Sequence, residues 1–195
     1  MFGGRVGFLE AVIAIVLVVF LLLLLFGRPG EVTTVRSRVD GRTYIVQNMP
    51  DQQQAADLLG SINNDLIKLV QHMQAKYPED ERVTRLASNF DPDRVYEAGR
   101  KDIYTSYSVN KGEKIVLCLR SRDVTNELEN QNIIMYVAIH ELAHLMTEEV
   151  GHTPSFWANN RLLLEEAVLL GLYKRVAFDK TPARYCGINI NTSLI

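Results

Sequence analysis

The residues best equipped for chemistry are His140-Glu141-Leu142-Ala143-His144. On a helix, positions i and i+4 share one face a turn apart, so imidazoles at 140 and 144 can ligate one Zn²⁺. Glu141 then lies beside the metal, placed to act as general base for a zinc-activated water. In such a site the metal acidifies the water and polarises a carbonyl, while the carboxylate carries the proton to the leaving amine. Gln at 141 would keep the hydrogen bonding and lose the base. Two imidazoles inside so apolar a stretch are costly to bury alone, and coordination removes that cost.

Three of the four histidines fall between 140 and 152. A catalytic zinc takes three protein ligands and leaves one position open, so a third ligand must come from elsewhere. His152, just past Gly151, is the leading candidate, giving the metal set His140, His144 and His152. Glu165 or Glu166 on the next helix is the rival. With His152 as ligand, these glutamates either orient a ligating imidazole or are solvated helix charges.

Several elements must position these groups. A long helical pattern starts near Asn126 and is almost wholly apolar from Ile133 to Met146. After a loop around Gly151, Thr153 as N-cap and Pro154 at the first position open another helix, running to about Arg175. Upstream, residues 105–120 read as a hairpin with Asn110-Lys111-Gly112-Glu113 as its turn. Its second strand, Lys114 to Arg120, lacks polar alternation and should be covered on both faces, with Cys118 as strand filler. Val35–Val39 and Arg42–Val46 flank Asp40-Gly41, a two-residue turn signal. An amphipathic helix introduced by Pro50 carries apolar residues from Ala55 to Tyr77 and stops at Pro78, with His72 on its exposed side. A shorter helix follows from Glu81 to about Asn89.

The remainder of the chain sets the context. Residues 11–26 contain no polar side chain, and residues 8–26 are long enough to cross a hydrocarbon layer of about 30 Å. The reading is an N-terminal transmembrane anchor at 1–27 and a catalytic domain at 28–195. Arg28, Arg36, Arg38 and Arg42 outnumber Arg5 across the span, placing the domain on the cytoplasmic side of a single-pass membrane protein. The 195 residues carry a net charge of −2, which excludes a strongly basic nucleic-acid binder, and the two cysteines exclude a disulfide scaffold. Cys118 and Cys186 suit a reducing compartment, although one disulfide would also use both. Asn191-Thr192-Ser193 reads as a chance sequon in a polar tail.

The stretch HELAHLMTEEVGHTPSFW, residues 140–157, resembles the zinc-dependent peptidases of the WLM, SprT-like and YgjP-like group. Their pattern is a HExxH helix, a third His, then a small residue, Pro and Phe-Trp; here the last part is Gly151-His152-Thr153-Pro154-Ser155-Phe156-Trp157. The chain departs from it in the seven residues between His144 and His152, where many members have about five. The whole domain, with its ending Tyr185-Cys186-Gly187, also resembles small predicted metallopeptidases of large DNA viruses. The resemblance implies an α+β, zincin-like fold: a small β-sheet beside the active-site helix, with peptide adding to an edge strand near the zinc. Phe156 and Trp157 read as core anchors for the His152 loop. Tyrosine often stabilises the oxyanion in this chemistry; the candidates are Tyr104, Tyr107, Tyr136, Tyr173 and Tyr185, each otherwise a packing aromatic.

WLM and SprT-like proteases are associated with proteins crosslinked to DNA, but this chain has no basic cluster and no zinc-finger cysteines, so no nucleic-acid partner is expected. The expected partners are a protein or peptide substrate and, through residues 8–26, a lipid membrane. Two functions follow: a membrane-anchored zinc metallopeptidase with Glu141 as general base, or an inactive membrane-tethered scaffold with a structural zinc site.

Overall fold

The computed structural model describes residue 7, residues 11–18 and residues 30–195. The chain divides into Met1–Glu31 and Val32–Ile195. In the first unit residues 11–18 are helical (α1). Among the described residues no helix is long and apolar enough to cross a membrane. The single-pass, cytoplasm-facing placement expected from residues 8–26 is therefore corrected, and the transmembrane helix and the lipid partner are left without support. The rest of that segment lies outside the described residues.

The second unit opens with an antiparallel hairpin, β1 (Val32–Arg36) and β2 (Thr43–Gln47), in which Val32 pairs with Gln47 and Arg36 with Thr43. Residues 37–42 form a longer loop than the expected two-residue turn. The Ser37 N–H donates to Arg42 O, the Gly41 N–H to Ser37 O, and Asp40 Oδ1 takes the Arg42 N–H. Local side-chain acceptors thus compete with the ladder, and β1 stops before Val39. α2 (Gln52–Lys76) buries Leu59, Ile62, Leu66, Leu69 and Met73 along the predicted stripe and ends at Tyr77. α3 (Glu81–Asn89) is capped by Asp80, whose side chain accepts the Arg82 N–H.

A turn of 3₁₀-helix at Pro92–Arg94 leads into β3 (Val95–Glu97), too short to leave a periodic signal. β4 (Tyr107–Val109) and β5 (Lys114–Leu117) complete a sheet of order β3-β5-β4, with β3 parallel and β4 antiparallel to β5. β5 is central, and Ile115, Val116 and Leu117 are all buried, as its unbroken apolar run predicts. β4 forms one edge of this sheet.

α4 (Gln131–Met146) is apolar on every side and buried accordingly among α2, α3, β4, β5 and α5 (Pro154–Leu169). It begins later than Asn126 because the preceding segment pairs instead: Arg120 bridges Leu128, the Glu129 N–H donates to Leu119 O, and Asn130 caps the helix by accepting the Asn132 N–H. α5 starts as expected, with the Thr153 side chain accepting the Phe156 N–H. It ends at Leu169, short of Arg175, because Gly171 takes φ +71 and the Leu172 N–H folds back to Ala167 O.

The last hairpin, β6 (Ala183–Tyr185) and β7 (Ile188–Ile190), turns on Cys186 and Gly187. A disulfide joins Cys186 to Cys118 just past β5, so Cys118 is a crosslink rather than strand filler.

Candidate metal centre

α4 presents His140 and His144 on one face, with ring centroids 5.1 Å apart, and the loop after it returns His152 to the same place. His140 Nε2 and His152 Nε2 lie 3.0 Å apart. One nitrogen from each of the three rings falls within 4.8 Å of the others. The Phe156 ring, fully buried, packs against all three imidazoles at centroid distances of 4.8, 4.3 and 4.7 Å for His140, His144 and His152. Trp157 lies 5.3 Å from His152 but is 41% exposed, so it flanks the site rather than anchoring the core as expected.

Burial, then the charge of the neighbouring imidazoles, pushes the pKa of His140 down to about 3. Burial, then His152 and Lys111, takes His144 to about 4. Both rings are therefore neutral near pH 7, with lone pairs free to ligate. The Glu141 carboxyl is buried, and the N–H and hydroxyl of Ser108 on β4 act to lower its pKa. Burial outweighs Ser108 and raises it to about 7. These groups open onto a cleft of about 530 Å³, whose opposite wall is Ser106, Tyr107, Ser108, Asn110 and Lys111.

The C-terminal end of α4 is closed bond by bond, which matters because a helix leaves its last four carbonyls without internal partners. Ala143 O accepts from the N–H and hydroxyl of Thr147, His144 O from Lys111 Nζ, Leu145 O from Asn89 Nδ2 and Met146 O from Arg85 Nη1. Two of these donors are cations, which also suit the negative end of the helix dipole. Asn159 of α5 then holds the Thr147 hydroxyl at 2.9 Å, and Ser155 holds Glu149 at 3.0 Å.

The rival third ligands lie elsewhere. Glu165 is exposed on α5. Glu166 is buried against α2, where it meets His72 Nε2 at 2.7 Å, Lys76 Nζ at 2.7 and 2.9 Å and the Tyr77 hydroxyl at 2.7 Å. His72 is thus half-buried in an ion-pair cluster rather than free on a surface. Of the five tyrosines weighed for an oxyanion role, Tyr107 lines the cleft, whereas Tyr185 is fully buried with its hydroxyl donating to Cys118 O and bonded to Ser106 Oγ. Sequence reasoning missed Ser108 and Lys111. Neither residue type is distinctive, and only the long-range fold brings them to the site.

The WLM domain family model matches residues 39–193. The chain is 33% identical over 177 residues to the uncharacterized protein R325 of Acanthamoeba polyphaga mimivirus, covering 85% of this chain and 86% of that one. It is 38% identical over 86 residues to the uncharacterized protein 042R of Invertebrate iridescent virus 3, covering 43% and 50%. The crystal structure of Wss1 from Saccharomyces cerevisiae has a similar fold, with a TM-score of 0.50, 20% identity and coverage of 65% of this chain and 87% of that one.

Proposed function

The chain belongs to the WLM domain family, and from that premise we propose that it is a zinc-dependent metallopeptidase with His140, His144 and His152 as ligands and Glu141 as general base. The observation that carries this reading is the convergence of three imidazole nitrogens, two of them on rings kept neutral by burial, beside one buried carboxylate. The donor set fits the group: three imidazole nitrogens from one helix and its following loop match the ligand count and type of a hydrolytic zinc. Zinc held there would acidify a water and polarise the scissile carbonyl.

The chain's own residues do the rest. Glu141, with Ser108 favouring its ionised form, takes a proton from the attacking water and returns it to the leaving amine. Phe156 packs under the imidazoles and keeps their rings from turning away. β4 supplies a cleft wall, and its outer edge, unpaired among the described strands, offers backbone groups to an extended peptide.

The test uses the full chain, with zinc content measured by elemental analysis and cleavage of an unfolded protein followed beside Glu141→Gln. One zinc per chain is expected in both proteins, with cleavage in the wild type and none in the variant. Zinc without cleavage by the wild type would favour a structural site, and a chain that bound no zinc would end the proposal.

A further inference from the structure

We propose that Lys111 is a positioning residue for the third ligand: its ammonium ties the β4–β5 turn to the loop that carries His152 and so sets metal affinity. The inference rests on the metal reading above and adds the group that holds the ligand loop in place.

Lys111 Nζ has three N–H bonds to give, and three backbone carbonyls take them: His144 O at 3.2 Å, Thr147 O at 2.7 Å and Glu149 O at 2.6 Å. The first belongs to a ligand residue and the other two to the loop between ligands. One side chain thus grips the end of α4 and the departing loop together. With all three donors engaged, Lys111 has none left for a substrate carbonyl, although it lines the cleft. Its contribution passes through His152 instead.

The grip has a firm base. Lys111 lies in the left-handed region at φ +59, followed by Gly112 at φ +121. A Cβ on Gly112 would stand 2.1 Å from Asn89 O, so only glycine lets the turn press against the end of α3. The loop's other holds, Ser155 on Glu149 and Arg85 on Glu148, are side chain to side chain; Val150 is almost fully exposed, and among the described residues nothing lies within 4 Å of the Cβ position at Gly151.

Arg85 provides the comparison. It is a second cation at the same helix end, but it bonds Met146 O and the Glu148 side chain, and no backbone carbonyl of the loop. Loss of helix capping or of positive charge should affect both residues alike, whereas loss of the tie is specific to Lys111.

The experiment measures zinc affinity of the full chain by chelator competition for Lys111→Met, Lys111→Arg and Arg85→Met, together with amide hydrogen exchange of the zinc-free proteins. Lys111→Met should weaken zinc by about 10–100-fold, the range for groups that orient a ligand. In the zinc-free chain it should speed exchange at residues 148–152 by about tenfold and leave β5 unchanged. Lys111→Arg should restore part of both effects, and Arg85→Met should change zinc affinity less than about threefold. Equal losses in Lys111→Met and Arg85→Met, or unchanged loop exchange in Lys111→Met, would overturn the proposal. A wild-type chain that bound no zinc would remove the proposed function, and the exchange rates would still decide for or against the tie.

Discussion

His140 Nε2 stands 3.0 Å from His152 Nε2, although the residues are twelve apart in the chain and lie on different elements. Two neutral imidazoles with facing nitrogens can share one hydrogen bond, which uses a single lone pair, whereas a shared cation engages the lone pairs of both. His152→Ala should therefore lower zinc affinity of the full chain by more than about a hundredfold, beyond the roughly 10–100-fold effect of an orienting partner. Glu165→Gln and Glu166→Gln should leave it unchanged. Competition with a chromogenic chelator separates the three variants, and a large loss in either glutamine variant would restore a glutamate as third ligand.

Glu166 serves the fold instead. Burial alone would raise its pKa, but hydrogen bonds from Lys76, Tyr77 and His72 outweigh burial and hold it at about 2, against 4.5 for a free carboxyl. A group whose folded pKa lies below its unfolded value stabilises the fold above the unfolded pKa, and that contribution fades as pH falls towards the folded pKa. Glu166→Gln should cost about 1–3 kcal/mol at pH 7, the cost of breaking a buried hydrogen-bonded group. The gap between wild type and variant should close as pH falls from about 4.5 to about 2. Urea unfolding across that window reads both effects, and a gap that stayed constant would show that the Glu166 charge is not what α5 lends to α2.

The disulfide makes a different prediction. Cys118 and Cys186 are 68 residues apart, and closing a loop of that length removes about 4 kcal/mol of unfolded-chain entropy. Cys118→Ser with Cys186→Ser should lower the melting temperature by about 10 °C for a domain of this size. The fold should survive, since the Tyr185 hydroxyl still joins Cys118 O at 2.8 Å and Ser106 Oγ at 2.7 Å. Circular dichroism melts of oxidised wild type and double variant give the comparison.

Local patterning made the functional helix readable, and local patterning was also where reading stopped. Apolar periodicity gave α2, Thr153-Pro154 gave the start of α5, and His140, His144 and His152 marked the residues that meet in the candidate site. The Asp40-Gly41 turn misled because the Ser37 and Asp40 side chains accept the Val39 and Arg42 N–H groups that a tight hairpin would pair. β3, β6 and β7 are three residues each, too short for a period to betray them, and β3 pairs with β5 across about 20 residues of chain. The residues that hold the site, Asn89, Ser108 and Lys111, meet α4 and its loop across about 30 to 60 residues of chain. A pair of cysteines, likewise, carries no spacing signal that distinguishes a crosslink from two thiols.

Ser108 offers the sharpest test of how the edge strand serves chemistry. Its N–H and hydroxyl both favour the ionised Glu141 carboxyl, so in the proposed mechanism β4 orients the base as well as lining the cleft. Ser108→Ala removes the hydroxyl and keeps the N–H. One hydrogen bond to a charged group is worth about 1.5 kcal/mol, or roughly tenfold in rate if it is made in the transition state. The expected result is kcat down about tenfold with KM and zinc content near wild type, and Ser108→Thr, which restores a hydroxyl, recovering most of the loss. A rise in KM at unchanged kcat would place the hydroxyl on the substrate rather than on Glu141, because an interaction equal in ground and transition states alters binding alone.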